Sequence, residues 1–141
     1  MMKILVSTIV ILLLSSPVFA GSRGAMVESE VLRDFAPQPV LLQPTTETVD
    51  LTGKSTLNFS WSPHEGDVMK RVYYDFRLYK GYDLVQSNLI YKKEVLPQAF
   101  SVDISSDTFQ AGKVYTWSVR QVYDDLSKSY RSSASFKVIK N

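Results

Sequence analysis

Residues 109–122 constrain the fold more than any other part of the chain. A turn containing Gly112 leads into strict alternation, in which Tyr115, Trp117 and Val119 point to one side and polar residues point to the other. Successive side chains of a β-strand lie on opposite faces of the sheet, so this period of two predicts a strand with one buried face. The segment therefore predicts a half-buried antiparallel sheet.

The same period recurs elsewhere and divides residues 37–141 into seven predicted strands. The first, residues 40–42, lies among prolines that lack the N–H a central strand must donate, which predicts a sheet edge. Residues 45–52 are predicted to be a polar connection, and residues 88–96 a less regular strand. The residues predicted to face inward elsewhere are Leu57, Phe59, Trp61, Val72, Tyr74, Phe76, Leu78, Phe100, Val102, Ile104, Ala134, Phe136 and Val138. Short strands separated by turn residues are typical of a β-sandwich or a small barrel.

Three motifs in this pattern resemble the fibronectin type III family. Residues 57–63, Leu-Asn-Phe-Ser-Trp-Ser-Pro, are similar to its B strand and B–C turn, and Tyr74-x-Phe76-x-Leu78 is similar to its C strand. The run Phe109-x-x-Gly112-x-x-Tyr115-x-Trp117-x-Val119 resembles its E–F corner and F strand. The resemblance covers roughly residues 37–140 and implies an all-β, seven-stranded, antiparallel, immunoglobulin-like sandwich. It also implies that the Tyr115 hydroxyl bonds back to the E–F turn.

The chain departs from the family pattern in two places. Trp117 occupies a position that the family normally gives to a smaller aliphatic residue, so we expect Trp61 and Trp117 to stack across the two sheets. Residues 82–97 are longer and less patterned than the usual connection, so the sequence does not define the C′ strand. The predicted F–G loop contains no Arg-Gly-Asp, so the resemblance does not imply integrin-type adhesion.

The first 20 residues have the pattern of a secretory signal peptide. Lys3 is a short positive region, residues 4–14 are apolar, and Val18 and Ala20 place small residues before a cleavage site. A retained anchor is the alternative, but the apolar run is shorter than the roughly 20 residues a membrane span needs. Residues 21–36 are predicted to be a flexible leader, with a short helix as the alternative, and residues 37–141 are the predicted sandwich.

Composition narrows the class of partner and the compartment. The chain has no cysteine, which for an exported protein favours a bacterial envelope or its exterior over an oxidising animal secretory pathway. Its 16 basic and 14 acidic residues nearly balance, and removal of Lys3 brings the net charge from +2 to +1. That balance gives no electrostatic case for nucleic acid or for an anionic membrane surface.

No pattern in the sequence has the specificity of a catalytic or metal motif. The only histidine, His64, lies in a predicted loop, and one histidine without cysteine supplies too few ligands for zinc. The loop acids Glu65, Asp67, Asp124 and Asp125 supply oxygen atoms that calcium could bind, but they lack a spaced ligand pattern. The sequence therefore predicts neither enzyme activity, nor a cofactor, nor a metal.

Tyrosines and arginines on the predicted outer face form the candidate binding surface: Tyr73, Arg77, Tyr79, Tyr82, Arg120 and Tyr123. Tyrosine and arginine are enriched at binding hot spots, although tyrosine is also an ordinary strand residue that pairs well across strands. The prediction is a non-catalytic exported module for protein–protein interaction in the cell envelope or outside the cell, with an unidentified protein partner. The alternative is a carbohydrate-binding module, for which three coplanar tyrosine rings on one face would be the sign.

The signal-peptide assignment predicts cleavage after Ala20. When the chain is expressed in a bacterium, the exported protein should begin at Gly21, which intact-mass spectrometry can measure. Ala20→Arg should block cleavage, because the position before the cut takes a small side chain. An exported chain that retains residues 1–20 would contradict the assignment.

Overall fold

The computed structural model describes residues 38–63 and 71–141. The predicted signal peptide and leader, as well as the loop with His64, Glu65 and Asp67, lie outside the described residues. The strands are β1 (Val40–Gln43), β2 (Thr48–Asp50), β3 (Thr56–Ser62), β4 (Arg71–Lys80), β5 (Leu89–Val95), β6 (Ser101–Ser105), β7 (Val114–Tyr123) and β8 (Ser132–Ile139). A single-turn 3-10 helix, Gln86–Asn88, directly precedes β5, and another, Ser106–Thr108, directly follows β6.

The strands form two sheets that pack face to face. One has the order β1-β3-β6, and the other has the order β2-β8-β7-β4-β5. β1 lies at a sheet edge, as its flanking prolines predicted. Within the described residues, no helix is long and apolar enough to cross a membrane.

The prediction of seven strands was wrong by one, because the described residues contain eight. The additional strand, β2, lies in the predicted polar connection and pairs in parallel with β8. It has three residues and only Val49 is partly buried, so it is too short to produce a detectable alternation. The chain therefore leaves one sheet after β1, crosses at Pro44 and joins the other sheet as β2.

Aromatic rings from both sheets fill the space between them. The Phe59 ring lies 5.3 Å from the Trp117 ring, and the Trp61 and Phe76 rings are stacked with centroids 6.0 Å apart. Trp61 and Trp117 are both fully buried and face each other at 6.5 Å, but their planes are tilted by 44°. The predicted contact between the indoles is present, whereas the predicted stacking was wrong.

The E–F corner has the predicted arrangement. The backbone N–H of Gln110 donates a hydrogen bond of 2.9 Å to the Tyr115 hydroxyl oxygen. Gly112 has a φ of +76°, a conformation that a residue with a side chain rarely adopts, and its N–H donates to the Val138 carbonyl. The corner thus ties the start of β7 to the turn before it and to β8.

The inward assignment of Val72 was wrong. Its side chain is 41% exposed, whereas Tyr74, Phe76 and Leu78 are fully buried as predicted. The pairing of β4 with β7 shifts register between Arg71 and Tyr73. This irregularity breaks the alternation of side chains at the start of β4. The hydrophobic periodicity of the sequence does not reveal the shift. The inward assignment of Phe100, just before β6, was also wrong, because it is 37% exposed, although its ring lies 6.0 Å from that of Tyr74.

Trp117→Ala should destabilise the protein by about 3–5 kcal/mol, because it leaves a large cavity between the sheets. The Trp117 indole also donates a 3.0 Å hydrogen bond to the Pro44 carbonyl. Trp117→Phe keeps a ring but removes this donor, so it should lose less stability than the alanine variant. Denaturant unfolding measures both, and an unchanged midpoint for Trp117→Ala would refute the core position.

Candidate functional site

The outer face of the five-stranded sheet carries a buried carboxylate surrounded by three arginines. Asp75 lies in the middle of β4 and is 4% exposed. Its partners are Arg77 on the same strand, Arg120 on β7 and Arg131 just before β8. We call these four residues the Asp75 cluster.

Strand register brings the cluster together. Asp75 lies directly opposite Arg120, and Arg77 lies two residues further along the same face of β4. Opposite charges placed across neighbouring strands attract each other, which stabilises this register. Arg131 reaches the same carboxylate from the end of the loop between β7 and β8, so three separate segments of the chain meet at Asp75.

The hydrogen bonds hold the guanidinium groups in fixed positions. Arg77 binds the carboxylate with a two-pronged fork, Nε to Oδ1 at 3.1 Å and Nη2 to Oδ2 at 3.0 Å. Arg131 donates from Nη2 to Oδ2 at 2.6 Å and from Nη1 to the Ser118 hydroxyl at 3.2 Å. Arg120 donates from Nε to Oδ2 at 3.3 Å. Paired forks of this kind are among the strongest hydrogen bonds in proteins.

The cluster keeps Asp75 ionised. Burial acts to raise the pKa of Asp75, but the charge of Arg131 and the hydrogen bonds and charge of Arg77 outweigh it, so its pKa lies below the ordinary value. Burial, with the like charges of Arg120 and Arg77, lowers the pKa of Arg131 even though Asp75 opposes that shift. The Asp75 carboxylate thus binds three guanidinium groups on the outer face of the five-stranded sheet.

The predicted surface residues separate into exposed and buried groups. Tyr82 is 71% exposed, the Arg77 side chain is 20% exposed, and Tyr73 is half-buried. The predicted exposure of Tyr79, Arg120 and Tyr123 was wrong, because all three are buried.

Strand positions account for part of this burial. Arg120 is buried because it forms a salt bridge with the buried Asp75 carboxylate. The odd-numbered residues of β7 face the core from Tyr115 to Val119, and the same period applied onward predicts an inward Tyr123. Tyr79 lies between Thr116 of β7 and Leu89 of β5. Whether the candidate surface binds a partner stays a prediction.

Sequence reasoning missed Asp75 and Arg131 as site residues. A signal for Asp75 exists, because an acid in the middle of an aromatic-rich central strand needs a charged partner when that strand is buried. Nothing in the sequence places Arg131 beside it, since the two residues are 56 positions apart.

The sign expected of a sugar-binding surface is missing from the described residues, which include all eight tyrosines. Only Tyr82 and Tyr130 are exposed among them. Tyr82 follows the end of β4 and Tyr130 precedes β8, which places them at opposite ends of the sandwich. Three coplanar rings on one face are therefore not formed.

The described residues contain no group of three or more His, Cys, Asp or Glu side chains that could hold a metal ion. Asp125, one of the acids considered for calcium, instead accepts a 3.0 Å hydrogen bond from the Ser127 backbone N–H in the loop between β7 and β8. This local turn gives Asp125 a structural role.

Asp75→Asn should destabilise the protein by about 3–5 kcal/mol, because three guanidinium groups then surround a neutral amide. A lowered folded-state pKa means that the ionised Asp75 stabilises the fold above its ordinary value of 3.8 and that this contribution is lost as the pH falls. Wild type should therefore lose more stability than Asp75→Asn between about pH 5 and pH 2. Asp83→Asn, at an exposed acid, is the control, and equal acid sensitivity of wild type and Asp75→Asn would contradict the assignment.

No protein-family model matches this chain, and no curated protein matches it either. Solved structures do match. The fibronectin(III)-like modules of CbhA from Clostridium thermocellum are 18% identical, with a TM-score of 0.51, over 72% of this chain and 97% of theirs.

A second solved structure, the FN1–FN3 domains of chicken CNTN1, is 15% identical with a TM-score of 0.50. The match covers 74% of this chain and 33% of that one. At such identities the likeness concerns the fold, and it agrees with the two-sheet order and the tyrosine corner described above. The described part of this chain has the fold of a fibronectin type III domain.

Proposed function

We propose that this protein is a non-catalytic, exported module that binds another protein in the cell envelope or outside the cell. The signal-peptide pattern of residues 1–20 supports export, and the fold is one commonly used for binding or linkage. The observation that carries the proposal is the Asp75 cluster, in which arginines are fixed in place on the outer face of a sheet.

Two arginines of the cluster remain accessible. The side chains of Arg77 and Arg131 are 20% and 17% exposed, while their hydrogen bonds to Asp75 already restrict their motion. A restricted side chain loses less conformational entropy when it binds, so such arginines favour binding. Tyr82, two residues after the end of β4, adds an exposed ring beside Ser135 and Lys137 of β8 in the same sheet.

The charges beside the cluster favour an acidic partner, because Arg77, Arg131 and Lys92 outnumber Glu94, which lies opposite Asp75 on the edge strand. Lys92 lies directly opposite Arg77 on the neighbouring edge strand, and like charges in that arrangement repel each other. A carboxylate on the partner would relieve this repulsion and would complete the coordination of the exposed guanidinium groups. The binding surface of this proposal consists of Tyr73, Arg77, Lys92, Arg131 and Tyr82.

The exported chain, fixed to a resin, tests the proposal against envelope proteins of its host. We expect retention of a protein partner that is released at about 1 M salt, where charge interactions are screened over a few ångströms. Arg77→Ala and Tyr82→Ala should each weaken retention. Arg77→Ala leaves Asp75 with Arg120 and Arg131, so the variant should still fold.

Lys113→Ala is the matched control. It removes one exposed positive charge from the E–F turn, away from the proposed surface, and should leave retention unchanged. Equal retention by the wild-type protein and by Arg77→Ala would overturn the assignment of this surface. Release of the protein by soluble oligosaccharides alone would instead support the carbohydrate-binding alternative.

A further inference from the structure

β3 is longer than β1, the strand that pairs with it at the sheet edge. β1 pairs with β3 from Val40 opposite Ser62 to Gln43 opposite Ser60, after which the chain leaves the sheet. β3 continues to Thr56, and in this half its only partner among the described strands is β6. The sheet therefore lacks a strand beside the first half of β3.

The ladder with β6 determines which backbone groups face this gap. The Trp61 N–H donates to the Phe100 carbonyl at 3.0 Å, and the Ser106 N–H donates to the Ser55 carbonyl at 2.9 Å. In an antiparallel pair, hydrogen-bonded positions alternate with positions whose N–H and C=O point the other way. The backbone groups of Thr56 and Asn58 therefore point away from β6, into the gap.

A groove with a volume of about 530 Å³ occupies the same place. It lies between the first half of β3 and the segment that crosses to β2. Pro44 ties the crossing segment to the core of the larger sheet, because it is buried and its carbonyl accepts the hydrogen bond from Trp117. We call this groove, with the exposed edge of Thr56 and Asn58, the β3 slot.

The lining of the β3 slot suits an extended peptide. On the outside, Gln43 donates to Asn58 at 2.6 Å and Asn58 donates to Asp103 at 2.8 Å, which keeps the Asn58 side chain in place beside the open edge. Toward the core, Val49 and Leu57 provide apolar contacts. The lining has both an acid and a base, Asp50 and Lys54, so it favours neither sign of charge.

We propose that the β3 slot binds an extended segment of a partner protein, which adds to β3 as a short strand. The inference rests on the proposed function, since it assigns a second contact of the same binding module. The bound segment alternates polar residues, opposite Thr56 and Asn58, with a small apolar residue that faces Val49 and Leu57. Main-chain hydrogen bonds supply the affinity, and this alternation supplies the specificity.

The probe is the synthetic peptide acetyl-Thr-Val-Thr-Val-Thr-amide, titrated into the isotope-labelled exported chain. Amide resonances of Thr56 and Asn58 should shift together with those of Val49 and Lys54 as the peptide saturates the slot. The outer-face residues Arg77 and Arg131 should not shift. Absence of saturable shifts at Thr56 and Asn58 would overturn the proposal.

Two N-methylated peptides form the matched controls. In an added strand, alternate N–H groups face β3, and those of the threonines lie opposite Thr56 and Asn58. N-methylation of the central threonine should weaken binding about tenfold, as expected for the loss of one buried hydrogen bond. N-methylation of a valine should have little effect, because its N–H faces solvent. Equal weakening by both methylations would overturn strand addition.

Thr56→Pro tests the protein side of the ladder. Proline removes the N–H of Thr56, and it is tolerated at the first residue of a strand. The variant should melt close to wild type and bind the peptide about tenfold more weakly. If Thr56→Pro does not fold, the N-methylated peptides still decide the question.

The remaining outcomes separate this inference from the proposed function. Shifts of Thr56 and Asn58 that depend on protein concentration without peptide would identify a second copy of the chain as the occupant and would overturn the proposal. Peptide binding at the slot needs no native partner, so it stands even if Arg77→Ala retains the same proteins as wild type. Conversely, a partner retained through Arg77, with no shifts at the slot, overturns only peptide binding at the β3 slot.

Discussion

The hydrogen bond from the Trp117 indole to the Pro44 carbonyl connects the core of the sandwich to the path of its first strands. Trp117 sits on β7 in the centre of the larger sheet, and its ring contacts Phe59, Trp61 and Phe76. Its single N–H would be unsatisfied in an apolar core, where a lost hydrogen bond destabilises the fold. The carbonyl that accepts it belongs to the segment crossing between the sheets, so satisfying the indole also fixes where β1 ends.

The hydrogen bond from Trp117 to Pro44 affects both the β3 slot and the sheet that carries the Asp75 cluster. Because the chain leaves the first sheet at Pro44, β2 can join β8 at the edge of the second sheet, and the first half of β3 loses a neighbour. The five-stranded sheet gains β2 as an edge strand beside β8. Its strands β7 and β4 carry Arg120 and Asp75 of the cluster. The β3 slot and the Asp75 cluster therefore lie on different sheets, and both depend on a core packed with aromatic rings.

The Asp75 cluster stabilises the outer face in a different way from the core. A buried carboxylate with three arginines is held by hydrogen bonds and charge, and breaking such a group is more destabilising than its net contribution suggests. In return, the arginines are oriented before any partner arrives. Rigid, partly exposed arginines are the kind of surface that concentrates binding energy in a few residues.

Alternation along the chain predicted a β-sandwich or small barrel and most of the inward-facing residues, and the resemblance to fibronectin type III domains implied the sandwich and the Tyr115 corner. These follow from local rules, because strand side chains alternate and a corner is set by a glycine and a tyrosine close together in sequence. Only the tertiary structure decided the parallel strand β2, the register shift beside Val72, and the meeting of Asp75 with Arg131. Each of these depends on which distant segments pair and in what register, and a short or irregular strand leaves no periodic signal from which that pairing could be inferred.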